Sequence, residues 1–277
     1  GRAQIGKQIE ILAEAQQARF RAHIVADIAP LRAPDRPQQH RVGAQRDLHS
    51  LVGDGDAVPF RDLEQVGRFI VPRFSIEGFD GEPFARAWRA GYRPGMSKVI
   101  SGEREWTPID VIHRERLEEI LPEFGLDMLN EEERDHLNRA WHRINPWPDS
   151  VPGLLRLKKK FLIAPLSNGS LTLLAGMAKR AGIPWDFVFS SDMHKAYKRD
   201  PHVYQNAVAL LGMEPGEVMM GAAHNDDLEA AREQGLRTAY INRPTEYGVD
   251  QKKDFEATSD WDVIVDSVEG VTDAMGV

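Results

Sequence analysis

Three times between Phe161 and Asp227 an apolar run breaks off into polar residues, and a helix-like pattern follows. The first run, Phe161 to Leu166, ends in Ser167-Asn168-Gly169-Ser170, after which Leu171, Leu174, Met177, Ala178 and Ala181 recur at helical spacing. This reads as a buried parallel strand, a tight turn and a helix capped by Ser170 or Asn168. The second, Phe187 to Ser190, leads through a loop to Tyr197-Lys198-Arg199-Asp200-Pro201. The third, Val218 to Ala222, passes through Ala223-His224-Asn225-Asp226-Asp227 into the helical Leu228 to Arg232. A fourth strand, Thr238 to Ile241, ends at Asn242-Arg243-Pro244, and Trp261 to Asp266 supplies a last one before a short helix. The fold class is therefore α/β, a Rossmann-like parallel sheet core flanked by helices. In such sheets polar groups at the carboxyl ends of strands face the ligand crevice. Ser167, Asn168, Lys198 and Asp227 all fall at such ends.

Composition removes several chemistries. With no cysteine, disulfides, thiolate nucleophiles and cysteine metal sites are excluded. A net charge of -8 argues against nucleic acid as a partner. No apolar run approaches the ~20 residues of a membrane span, and no apolar secretory core stands at the start, so a cytoplasmic location is expected.

Residues 76–150 read as helical. Phe84, Trp88, Tyr92 and Met96 form one stripe on a helix from Glu82 to Met96, and Ile109, Ile112, Leu117 and Ile120 continue the pattern. Asn130 before three glutamates reads as an N-cap with an acidic first turn, ahead of Leu137, Ala140, Trp141 and Ile144. Residues 1–75 differ, with ten Arg and one Lys against nine acids and none of the six Trp or five Tyr. There Gln4 to Ile28 has helical periodicity, Leu31 to Arg46 reads as loop, Leu51 to Asp56 as a turn, and Phe69 to Val71 as a short strand. An incorrect reading frame before about residue 70 would leave such a break, and DNA across codons 1–80 tests it.

The order Ser-Asn-Gly, Tyr-Lys-x-Asp-Pro and Ala-Ala-His-x-x-Asp-Leu resembles motifs two to four of the haloacid dehalogenase superfamily, with surroundings similar to its type II 2-haloacid dehalogenase branch. The resemblance runs from about Phe79 to Gly248. It implies that 1–75 supplies the first core strand, 76–150 a helical cap and 151–277 the α/β core. The family ends that first strand in Asp-x-Phe/Tyr-Gly-Thr, whose Asp is the nucleophile. No such string occurs in this chain, so the nucleophile is unknown. Asp54, Asp56 and Asp80 are the nearest acids, and each reads first as a solvated loop carboxylate.

For the other positions two readings stand side by side. Lys198 is an exposed loop lysine or the cation that holds a nucleophilic carboxylate ionised. Ser167 and Asn168 are helix-cap groups or donors to a reacting carboxylate. The resemblance implies that Asp227 orients Lys198 or the hydrolytic water, and Asp226 reads as a helix-start acid. His224 either orients a water or is a satisfied strand-end group, and Asn225 is a weaker substrate-binding candidate. The fragment Ala87-Trp88-Arg89-x-x-Tyr92 matches the cap position of the family's carboxylate-binding Arg, so the resemblance implies Arg89 as the substrate anchor, beside the plain reading of a solvated arginine. His113, His136, His142, His194 and His202 show no metal-ligand spacing.

The resemblance implies metal-independent hydrolysis of a small halogenated carboxylic acid through an aspartyl ester, with no cofactor and no metal. A homodimer is open. The alternatives are a Mg²⁺-dependent phosphatase of the superfamily and a catalytically inactive member.

Overall fold

The computed structural model describes residues 50–54, 80–246, 251 and 253–277. The first element among the described residues is β1 (Ser50–Asp54). Helices α1 (Gly81–Ala90), α2 (Tyr92–Ile100), α3 (Ile109–Ile120) and α4 (Glu131–Asn138) come next. α5 (Ser150–Leu157) then leads into β2 (Leu162–Ser167) and α6 (Leu171–Ala181). β3 (Phe189–Ser190), α7 (Ser191–His194), α8 (Pro201–Leu211), β4 (Val218–Ala222) and α9 (Asn225–Glu233) follow. The chain closes with β5 (Arg237–Ile241), β6 (Val263–Val265) and α10 (Val268–Ala274).

Among the described residues six strands form one sheet in the order β3-β2-β1-β4-β5-β6, every pair parallel. Side chains alternate across it as a pleat requires. Ala164, Leu166, Val218, Met220 and Tyr240 pack on one face with Val203, Tyr204 and Leu228. Ile163, Met219, Ala239 and Ile241 pack on the other with Leu154, Leu157, Val268 and Val271. Burial on both faces explains the near-continuous apolar runs that revealed the strands.

β1 occupies the centre of the sheet, and this overturns the turn-like reading of Leu51 to Asp54. Gly53 and Asp54 are poor strand formers by themselves. Pairing on both sides outweighs that preference, Val52 standing opposite Ala164 of β2 and Met220 of β4. From β1 the chain order runs outward through β2 and β3 on one side and through β4 on the other. That reversal is the topological switch point, where the crevice for a ligand opens beyond the strands' carboxyl ends. The expectations for Gln4 to Ile28, Leu31 to Arg46, Asp56 and Phe69 to Val71 lie outside the described residues.

The helices of 81–143 build their own core from Phe84, Trp88, Leu117, Ile120, Leu137 and Trp141, and rest on Leu173, Leu174 and Met177 of α6. The stripe Phe84-Trp88-Tyr92-Met96 is buried throughout, yet its helix is broken at Gly91. A Cβ there would stand 2.3 Å from Cγ of Arg116, so only glycine permits this approach of α3. Asp80 is the N-cap of α1, exposed, its Oδ1 accepting from the Glu82 amide at 3.1 Å. Asn130 caps α4 in a reciprocal box with Glu133.

Candidate active site

Ser170, not Asn168, caps α6, its hydroxyl accepting from the Leu173 amide at 3.2 Å. Asn168 is thereby released for another task. Its Oδ1 accepts the backbone N–H of Lys198 at 2.7 Å, tying the turn after β2 to the loop before α8. Because the carboxamide oxygen is taken by an N–H, its two N–H donors are the groups left for chemistry. Ser191 and Ser190 donate to the backbone carbonyls of Asn168 and Gly169, both at 2.8 Å, fixing the turn from the β3 side. The Ser167 hydroxyl accepts from the Gly169 amide at 3.0 Å.

Lys198 and Asp227 are 4% and 1% exposed, and Nζ donates to Oδ2 at 2.7 Å. The second carboxylate oxygen accepts from the Tyr204 hydroxyl at 2.5 Å. Asp227 stands in the first turn of α9, where the helix dipole favours its charge. A buried ammonium held this way, beside strand ends, can stabilise a second carboxylate or a developing negative charge. Next to it, Arg199 pairs with Asp226 at 2.5 Å. Burial opposes both charges, but the nearby Asp227 charge and then Asp226 outweigh it for Arg199 and raise its pKa, while the Arg199 charge and hydrogen bond lower that of Asp226.

Three of the sequence-derived residues, Asn168, Lys198 and Asp227, are thus joined by direct hydrogen bonds, with Ser167 one residue away. Arg89 lies on the cap, half-buried, its guanidinium 3.8 Å above the Tyr92 ring. Tyr92 shares a buried cluster with Tyr197, the neighbour of Lys198. The Tyr197 hydroxyl donates to the Thr107 carbonyl at 2.6 Å, fastening the loop that carries Lys198 to the cap.

His224, just past β4, sets its Nε2 3.2 Å from Oε1 of Glu246, and both side chains are buried. Asn225 fastens the segment beyond β5. Its Nδ2 donates to Asp254 Oδ1 at 3.1 Å and the Glu256 carbonyl at 3.0 Å, while Oδ1 accepts from Thr258 N and Trp261 Nε1. All four hydrogen-bonding positions of that amide are occupied. Tyr204, Glu246 and Asp110, which bonds Ser170, carry no motif. They meet their partners only across the fold, so no spacing in the sequence points to them.

A family model described as haloacid dehalogenase-like hydrolase matches residues 36–235. The chain belongs to this family. The match begins well before Phe79, so the likeness reaches across β1 although the nucleophile motif is not spelled there. Among solved structures, a defluorinating L-2-haloacid dehalogenase is 40% identical with a TM-score of 0.79, the alignment covering 83% of this chain and 96% of that one. (S)-2-haloacid dehalogenase 4A of Burkholderia cepacia is 35% identical over 41% of this chain. (S)-2-haloacid dehalogenase 1 of Pseudomonas sp. (strain CBS-3) is 35% identical over 48%. The chain spans 52% and 61% of the length of these two curated relatives. These likenesses place it with the 2-haloacid dehalogenase branch. Among the described residues no helix is long and apolar enough to cross a membrane.

Proposed function

We propose that the protein hydrolyses small 2-haloalkanoic acids through an aspartyl ester, without a metal ion. The observation that carries this reading is the buried Lys198–Asp227 pair at the switch point of the sheet. Both oxygens of Asp227 are committed, one to Lys198 and one to Tyr204, which suits a carboxylate that positions an ammonium better than one that binds Mg²⁺. In the first step a carboxylate at the end of β1 attacks the halogen-bearing carbon and halide leaves. The register puts Asp54 at that end, opposite Leu166 and one residue short of Ser167, and we assign it the attack. Lys198 keeps the attacking carboxylate ionised. Ser167 and the Asn168 N–H groups hold the reacting carboxyl, and Arg89 grips the substrate carboxylate with its planar fork. Water then cleaves the ester to the 2-hydroxy acid. The names of the relatives point to the (S) enantiomer as substrate.

The test is halide release from monochloroacetate and from each enantiomer of 2-chloropropionate, with and without Mg²⁺. Release without metal, lost in Lys198→Ala, Asp227→Ala and Asp54→Ala, supports the reading. Activity retained in Asp54→Ala removes Asp54 alone. Strict dependence on Mg²⁺ with turnover of phosphate esters instead would favour the phosphatase.

A further inference from the structure

We propose that His113 is a positioning residue for Arg89: it packs on Tyr92, whose ring carries the guanidinium, and so sets how tightly the substrate carboxylate is held. This rests on the function proposed above, in which Arg89 grips that carboxylate.

The four side chains form one aromatic group under the cap's cation. Arg89 is half-buried near the end of α1, its guanidinium carbon 3.8 Å from the centroid of the Tyr92 ring. The imidazole of His113 lies 5.7 Å from the same ring, tilted by 31°. The Trp141 ring lies 5.1 Å from His113 at the same tilt. Trp88 closes the group edge-on, 6.5 Å from His113 and 5.1 Å from Trp141. His113, Trp88 and Trp141 are all buried. These residues come from α1, α2, α3 and the short turn after α4, so only the folded cap assembles them.

Two hydrogen bonds fix α3 against α1 at the residues just before Arg89. Trp88 Nε1 donates to the His113 carbonyl at 2.7 Å, and Arg116 Nε donates to the Ala87 carbonyl at 3.1 Å. The imidazole therefore has a fixed place relative to the root of Arg89. It is also neutral there. An imidazolium needs acceptors at both nitrogens, and the buried Nδ1 has no hydrogen-bond partner. Burial, then the Arg89 charge, holds the His113 pKa down to about 3. The guanidinium thus meets a flat uncharged surface rather than a like charge.

This matters because an arginine binds a carboxylate through two parallel hydrogen bonds, which require the plane of its fork to be held. A guanidinium already laid on an aromatic face loses less freedom on binding. Tyr92 can serve as that face only while its own ring is held, and His113 packs against it. The grip is common to ground and transition states, so its loss is read in KM more than in kcat.

The test measures KM and kcat for 2-chloropropionate, and competitive inhibition by propionate, which has the carboxylate but no halogen. His113→Leu fills the site without a flat ring. It should raise KM and the propionate inhibition constant together by about fivefold or more, with kcat changed less than about twofold. His113→Phe restores a flat neutral ring and should return both to within about twofold of wild type. In an Arg89→Lys background His113→Leu should add nothing, because lysine cannot lie flat on Tyr92. If His113→Leu does not fold, His113→Met, which adapts to irregular sites, takes its place. The proposal is overturned if the folded variant keeps wild-type KM and inhibition, whatever happens to kcat. It is equally overturned if His113→Phe binds as weakly as His113→Leu. A wild type that releases no halide would instead defeat the function proposed above, while propionate binding by calorimetry still reads the link between His113 and Arg89.

Discussion

Asp110 of the cap accepts a 2.6 Å hydrogen bond from the hydroxyl of Ser170, on the turn that also carries Ser167 and Asn168. Its other oxygen lies 3.0 Å from His142 Nε2, and its backbone carbonyl accepts from Asn138 at 2.9 Å. Ser170 is at the same time the N-cap of α6, so one side chain couples cap, turn and core helix.

Asp110→Asn should lower stability by about 1–2 kcal/mol, since a charge-assisted bond becomes a neutral one. Burial by itself raises the Asp110 pKa, but the hydrogen bonds from His142 and Ser170 outweigh it, and the carboxyl titrates below its usual range. The stabilisation is therefore fully present above the unfolded value, about 3.9, and fades as pH falls through the lower folded value. Urea midpoints from pH 7 down into acid should show the gap between wild type and Asp110→Asn closing only below about pH 4. A gap constant across that range would sink the electrostatic account.

His113 gives the acid limb a second, earlier contribution. It is buried among Trp88, Tyr92 and Trp141, and burial, then the Arg89 charge, lowers its pKa to about 3. Between the unfolded value, about 6.5, and about 3 the unfolded chain binds a proton that the folded chain does not. Stability therefore falls as pH falls through this window, by about 1.4 kcal/mol per pH unit at most. His113→Phe should flatten that slope in chemical denaturation, whatever its own effect at pH 7.

Lys198→Met should cost about 3–5 kcal/mol, because it strands a buried carboxylate. Tyr204→Phe removes a bond to the same charge and should cost about 1.5–3 kcal/mol. The double variant Lys198→Met/Asp227→Leu should regain much of the stability of Lys198→Met while staying inactive. Thermal and urea unfolding beside halide assays separate the two effects. A double variant no more stable than Lys198→Met would mean that shape, not charge, dominates the pair.

Arg89→Lys should raise KM by about tenfold or more with a smaller effect on kcat, as expected when an interaction common to ground and transition states is lost. Lysine keeps the charge but cannot bind a carboxylate bidentately or lie flat on Tyr92. Initial rates over a range of 2-chloropropionate concentrations decide this. An unchanged KM would remove Arg89 from the substrate site.

Asn225→Ala leaves the buried Trp261 Nε1 and the Thr258 amide without their acceptor and should cost about 1–3 kcal/mol. Hydrogen exchange should quicken across 254–261 in particular. A KM change without that local loosening would instead make Asn225 a substrate contact.

The sequence alone determined the parts whose signal is local. Apolar runs ending in polar turns identified β2, β4 and β5, because strands buried on both faces cannot carry polar residues along their length. Helical spacing identified the buried stripe through Phe84, Trp88, Tyr92 and Met96, and motif order brought out Lys198, Asn168 and Asp227. Tertiary structure decided the rest. β1 reads as a turn until β2 and β4 pair with it on both sides, and glycine is required at 91 because Arg116 of α3 passes too close for a Cβ. Tyr204 on Asp227, Glu246 on His224 and Ser170 on Asp110 join positions far apart in the chain. Each pair depends on which distant group the fold brings within about 3 Å, a distance no single-residue preference encodes.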